Sequence, residues 1–272
     1  GLNVQVRRDN DWFSLQGELR VDENTVVEIR QLLGLLDERQ GRFLKLKDGQ
    51  FFALTEEFRR RLEDLRAYAD LSGKKVRLNP LAALTLEDWQ DEAGFQADQH
   101  WQNQLQRLKQ SRDYQPQLPS TFQAELRDYQ MAGFRWLARL AHWGVGACLA
   151  DDMGLGKTVQ GLALLLARAP DGPSLIVAPT SVCMNWENEA RRFALTLNPQ
   201  ILAGGDRQGL LDNLGPYDLL ICSYGLLQQE TVAEMLAKIR FQTAILDEAQ
   251  WIKNIATRRS QGAMNLQADF RL

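Results

Sequence analysis

The stretch "GACLADDMGLGKTVQGLALLLARA", Gly146 to Ala169, decides the fold. A short apolar run, a glycine-bearing loop and an apolar helical run follow one another in it, and the loop closes on Gly156-Lys157-Thr158. A phosphate-binding loop reads Gly-x-x-x-x-Gly-Lys-Ser/Thr between a strand and a helix. The closing residues fit, while Asp151 stands where the first glycine belongs. Gly154 and Gly156 let backbone N–H groups approach phosphates, and Asp152, Met153 and Leu155 complete the cradle's backbone. The helix beginning near Lys157 adds the positive end of its dipole. In such a cradle Lys157 neutralises the β and γ phosphates of ATP and the Thr158 hydroxyl holds Mg²⁺. The plainer alternative is a glycine turn with an exposed lysine, and the strand–loop–helix context argues against it.

Downstream, apolar runs "SLIVAP", "YDLLICSY" and "FQTAILDE" alternate with helical runs "MNWENEARRF" and "TVAEMLAKIR". Residues 197–214 hold a weaker strand and helix. Near-continuous apolar strands alternating with helices predict an α/β fold with a parallel sheet covered on both faces. "TAILDEAQ" sets Asp247-Glu248 at the carboxyl end of one such strand, where ligands of α/β sheets bind. Asp247 is the candidate Mg²⁺ acid, and Glu248 the group that orients and deprotonates an attacking water.

Upstream, "YQPQLPSTF" breaks the pattern with two prolines and predicts a linker over 114–121. Before it, residues 1–113 read as a smaller α+β domain. "VQVRR" and "WFSLQGEL" read as strands, and "VVEIRQLLGLL" has helical spacing. "RFLKLKDGQFFAL" reads as a hairpin turning on Asp48-Gly49. Thr55 is placed to cap the helix "EEFRRRLEDLRAYA", and Trp101, Leu105 and Leu108 recur at helical spacing as a core stripe.

The chain has 272 residues and a formal charge of −3. Basic and acidic residues number 18 and 20 up to Pro119, and 14 and 15 after it. Neither part is the footprint of a generally basic nucleic-acid protein, so any such contact needs a local patch and backbone amides. No apolar run approaches the ~20 residues of a membrane span, and Gly1 is not followed by a signal-peptide pattern. Cys148 and Cys222 lie in apolar contexts and read as buried strand positions. With Cys183 and two histidines, the spacing fits no zinc pattern, and the reading is reduced core cysteines of a cytosolic protein.

Four motifs in order, "LRDYQMAGFRWL", "LADDMGLGKT", "LIVAPTSVCMNW" and "DEAQWIKN", resemble those of the Swi/Snf-type ATPases, helicase-like DNA translocases of superfamily two. The resemblance spans 122–272 and implies a RecA-like ATP-binding lobe with a Walker A loop and a DEAQ box; that family tolerates Asp at the position of Asp151. It implies that Gln130 reads adenine through its amide, with Arg127 supporting the nucleotide pocket. It also implies that "PTSVCMNW" and "CSY" grip a DNA strand along its phosphates, through Thr180, Ser181, Asn185, Ser223 and Tyr224. Trp186 reads as a packing residue. Lys253 and Asn254 follow the family pattern. Arg258 and Arg259 meet phosphate or solvate a helix, and the sequence leaves both open. Upstream, "DWFSLQGEL" with the hairpin resembles the helicase-associated domain of bacterial members.

The resemblance implies a DNA-dependent ATPase that translocates on, or remodels, duplex DNA–protein complexes, as a monomer in the bacterial cytoplasm at the nucleoid. Its partners are duplex DNA and a second motor lobe of the parent chain. In the family, a Gly-Thr-Pro-bearing loop and that lobe would follow "LQADFRL", so these residues alone are expected to turn over almost no ATP. Two alternatives stand beside this: a strand-separating DNA or RNA helicase, and a nucleotide-gated binding module without turnover.

Overall fold

The computed structural model describes residues 2–10, 12–23, 25–36, 43–45, 51–92, 94–152 and 154–272. The Asp48-Gly49 turn and Met153 lie outside the described residues. The chain divides into two compact units, Gly1–Arg112 and Asp113–Leu272.

The first unit begins with β1 (Leu2–Asp9), β2 (Trp12–Arg20), β3 (Val26–Glu28), α1 (Ile29–Leu35), β4 (Phe43–Lys45) and β5 (Phe51–Ala53). It continues with α2 (Glu56–Arg66), β6 (Ala69–Asp70), β7 (Val76–Leu78), α3 (Ala83–Leu86), β8 (Phe95–Ala97) and α4 (Gln99–Asp113). A sheet runs in the order β6-β7-β2-β1-β8, with β3 also on β2. Alternate residues of the two long strands point inward: Val4 and Val6 on β1, Phe13 and Leu15 on β2, all buried. Trp101 packs edge-on to Phe13, ring centres 4.8 Å apart, and Leu105 and Leu108 continue its buried stripe along α4. The Thr55 hydroxyl caps α2 by accepting the Phe58 N–H at 3.2 Å. Strands β4 and β5 pair antiparallel. One expectation changes: Val26–Glu28 does not open a helix but pairs with β2, and α1 starts at Ile29.

The second unit holds α5 (Asp128–Trp143), α6 (Lys157–Arg168), β9 (Ser174–Ala178), α7 (Thr180–Phe193), β10 (Asn198–Ile201), α8 (Arg207–Asp212) and β11 (Asp218–Ser223). After them come α9 (Tyr224–Leu227), α10 (Glu230–Ala237), β12 (Arg240–Leu246), α11 (Arg258–Asn265) and β13 (Gln267–Arg271). The strands form a parallel sheet in the order β10-β11-β9-β12-β13. Both faces are covered. Ile176, Ala178, Leu219 and Ile221 join one core with Leu162, Leu165 and Trp186. Leu175, Val177, Leu220 and Cys222 join another with Leu211, Val232 and Leu236. A strand buried on both faces has no polar side to show, and this is why "SLIVA" is apolar throughout.

The expected strand "ACLA" does not form. The segment touches β13 through one backbone bond, Ala147 N–H to the Arg271 carbonyl at 2.9 Å. Ala147 and Leu149 pack against the core and Cys148 between them is exposed, whereas Cys183 and Cys222 are buried.

Candidate active site

The strand order places the chemistry. Ser223 closes β11, Ala178 closes β9 and Leu246 closes β12, and the register pairs Ser223 with Ala178 and Leu246 with Val177. The residues that follow, Tyr224, Pro179-Thr180 and Asp247, therefore leave the same carboxyl edge of neighbouring parallel strands. Asp247 stays tied to that edge, its N–H donating to the Val177 carbonyl at 2.9 Å.

The phosphate loop runs to Gly156, which precedes α6 with φ +78°. Gly154 has φ +85°. Both conformations belong to the left-handed region that glycine adopts without strain. The Lys157 ammonium donates to the loop carbonyls of Asp151 at 2.6 Å and Asp152 at 3.2 Å. These are neutral acceptors, and an anionic phosphate is the stronger partner for an ammonium. Gln130 bridges the start of α5 to the loop: its Oε1 accepts the Arg127 N–H at 3.0 Å, and its Nε2 donates to the Leu155 carbonyl at 3.2 Å. Each amide atom keeps a further hydrogen or lone pair for a ligand.

A cleft of about 990 Å³ is lined by Asp151, Lys157, Gly161, Trp186, Asp247 and Glu248, among others. It joins the loop lysine and the two acids, which are 90 residues apart in sequence. Thr180, Ser181 and Asn185 are exposed at the start of α7. Ser223 is half-buried, and its hydroxyl caps α9 by accepting the Leu226 N–H at 3.2 Å.

Tyr224 differs from its expected role on nucleic acid. It is 1% exposed, and its hydroxyl donates to the Asp247 carbonyl at 2.9 Å. Burial, reinforced by the Asp247 and Glu248 carboxylates, pushes its phenol pKa up. A side chain enclosed in this way cannot meet a DNA phosphate.

Glu248 has φ +54°, a left-handed backbone rare for a residue with a side chain. Its Oε2 accepts from the Gln250 amide. The Asp247 carboxylate accepts the Glu248 N–H at 3.0 Å on Oδ1 and the Trp186 indole N–H at 2.8 Å on Oδ2. The sequence reading had Trp186 as packing alone. One signal was present: Gly161 interrupts an otherwise Ala- and Leu-rich helix, and such a glycine marks a close approach. A Cβ there would lie 3.1 Å from Trp186 Cη2 and 3.3 Å from Ile245 Cδ1.

A family model for the SNF2-related domain matches residues 129–272. The chain belongs to this family. The SWI2/SNF2 ATPase core of Sulfolobus solfataricus, solved in complex with dsDNA, is 36% identical with a TM-score of 0.52, covering 58% of this chain and 33% of that one. The second unit is accordingly a RecA-like lobe of the SNF2-related type. YwqA of Bacillus subtilis, named as an ATP-dependent helicase/translocase, is 35% identical over 243 residues, 80% of this chain and 26% of YwqA. That share exceeds the second unit, so the similarity reaches into the first. The ISWI chromatin-remodeling complex ATPase CHR11 of Arabidopsis thaliana is 37% identical over 163 residues, 57% of this chain and 15% of that protein. This chain thus spans between 15% and 33% of these SNF2-related proteins.

Proposed function

We propose that the second unit is the first ATP-binding lobe of a DNA-dependent ATPase that translocates on duplex DNA and remodels complexes bound to it, and that the first unit is its helicase-associated accessory domain. The reading is carried by one observation: Asp151 and Lys157 of the phosphate loop and the Asp247-Glu248 pair line a single cleft at the carboxyl edge of a parallel sheet.

In this reading Lys157 exchanges its loop carbonyls for the β and γ phosphates. The loop amides and the start of α6 hold the same anions, and Gln130 meets the adenine edge beside Arg127. The described residues contain no cluster of three His, Cys, Asp or Glu side chains fit to hold a metal alone. Mg²⁺ brought with a nucleotide needs one or two protein oxygens and takes the rest from phosphates and water. Thr158 and Asp247 would hold it, and it would neutralise charge on the phosphates. Glu248 takes the proton of the attacking water. The exposed Thr180, Ser181 and Asn185 suit sequence-independent phosphate contact, with Ser223 beside them through its backbone.

The test is phosphate release by the full-length protein with and without duplex DNA. DNA should stimulate turnover, Lys157→Ala should abolish nucleotide binding, and Glu248→Gln should bind ATP but lose about 10²-fold or more in rate. Turnover indifferent to DNA sinks the reading. Displacing a third strand from a triplex without parting the duplex is the expected motor activity; parting the duplex instead would make the protein a strand-separating helicase.

A further inference from the structure

Asp247 is gripped from two sides. Trp186 donates its indole N–H to Oδ2 at 2.8 Å, and Tyr224 donates its hydroxyl to the main-chain carbonyl at 2.9 Å. Each donor sits on a segment that the proposed function assigns to DNA. Trp186 lies six residues along α7 from Thr180, and Tyr224 directly follows Ser223. The Trp186 ring is 3% exposed and rests over Gly161 of the phosphate-loop helix. One helix therefore carries exposed hydroxyls at its start and, within two turns, touches both the phosphate-loop helix and the metal-binding acid.

The indole is not merely a buried ring. Among the described residues, the buried N–H groups of Trp89, Trp101 and Trp143 find no acceptor, whereas that of Trp186 meets a carboxylate. A carboxylate has about four lone-pair sites, so the Trp186 and Glu248 N–H groups leave each oxygen able to face a metal or its water while fixing the side chain's rotation.

We propose that Trp186 and Tyr224 are positioning residues that orient Asp247 toward the nucleotide's Mg²⁺ and couple that orientation to DNA engagement at α7 and the β11–α9 corner. This rests on the reading of Asp247 as the metal-binding acid. DNA that shifts the start of α7 moves the indole, and the indole moves the carboxylate.

The experiment compares full-length wild type, Trp186→Phe and Tyr224→Phe. Phenylalanine at 186 keeps an aromatic ring but deletes the N–H and the outer indole atoms that reach Gly161; at 224 it keeps the ring and deletes one oxygen. Mn²⁺ binding in the presence of ADP is read by electron paramagnetic resonance, with and without duplex DNA, beside ADP affinity without metal and the melting temperature. Trp186→Phe should weaken Mn²⁺ binding about tenfold, as loss of a hydrogen bond behind a metal ligand does. It should also erase the change in Mn²⁺ affinity that DNA causes in wild type, with metal-free ADP affinity unchanged. Tyr224→Phe should give a smaller loss, about threefold, and carries the test if Trp186→Phe does not fold. Mn²⁺ affinity equal to wild type in the folded variants overturns the proposal, as does a loss matched by metal-free ADP affinity. A weakened Mn²⁺ site in a protein whose turnover ignores DNA overturns both the coupling and the proposed motor function. An intact DNA-stimulated ATPase with unaltered Mn²⁺ binding in both variants overturns the positioning role alone.

Discussion

Gly154 and Gly156 share a left-handed backbone but not a neighbourhood. A Cβ on Gly154 would meet nothing within 4 Å, whereas one on Gly156 would collide with the Gln130 amide. Alanine at either position adds left-handed strain of about 1–2 kcal/mol, and at 156 it also pushes Gln130 off the Leu155 carbonyl. Gly156→Ala should therefore lose more ATP affinity than Gly154→Ala, by tenfold or more relative to wild type, in calorimetric titrations of both variants. Cys222 gives a second residue-scale prediction. Burial pushes its thiol from 9.0 up to about 12, so the unfolded chain ionises first. Its contribution to stability is whole below pH 9 and is lost as the pH rises from 9 toward 12. At pH 10 the loss is about 1 kcal/mol. Cys222→Ala should flatten the alkaline fall of unfolding free energy by about that amount in urea titrations at pH 8 and pH 10; equal slopes would contradict it. Lys157 and the loop glycines were legible because a cradle fixes both residue type and spacing. Trp186 and Tyr224 were not, because their partner is Asp247, 61 and 23 residues away, and no local pattern records such a pairing.

At the scale of elements, α6 shows what patterning can and cannot tell. Leu162, Ala163, Leu164, Leu165 and Leu166 are all buried, so the helix is apolar around most of its girth. It packs between α5, α7 and β12. Leu164→Ala should lower the stability of the second unit by about 2–5 kcal/mol, read as a fall in its urea midpoint. Leu195→Ala, at a side chain 60% exposed, should stay within about 0.5 kcal/mol. The strands β9, β11 and β12 were readable because burial on both faces leaves an unbroken apolar run. Strand β13 was not: "QADFR" buries Phe270 alone, and its place comes from parallel pairing with β12. The reverse error occurred at "ACLA", where an apolar run lacks a ladder to hold it. At Val26–Glu28 helical spacing yielded to pairing with β2. Pairing is a non-local property, and a periodicity argument sees only one of the two strands.

At the scale of the molecule, the decisive quantity is how much of the nucleotide's charge these residues can meet. Phosphoryl transfer spreads negative charge over the γ-phosphoryl oxygens, and an arginine aimed at it raises rates by about 10³–10⁵-fold. Among the described residues lining the cleft, the one arginine is Arg271, and its guanidinium is engaged by the Leu266 carbonyl. In the proposed reading Lys157 answers the ground-state phosphates, Asp247 the metal and Glu248 the water, all from one side. The related YwqA is far longer, this chain covering 26% of it, and in our reading a second lobe supplies the opposing charges and a second hold on DNA. The balance of 14 basic to 15 acidic residues after Pro119 adds a further limit, since DNA affinity comes largely from neutralised phosphates. A polypeptide of these 272 residues should therefore bind ATP yet release phosphate at a rate about 10³-fold or more below the full-length protein, and duplex DNA should not close the gap. Steady-state phosphate release by the two proteins at saturating ATP and DNA decides it. Equal rates would mean that the charges needed for turnover already lie within this lobe, and the two-lobe account of its catalysis would have to be abandoned.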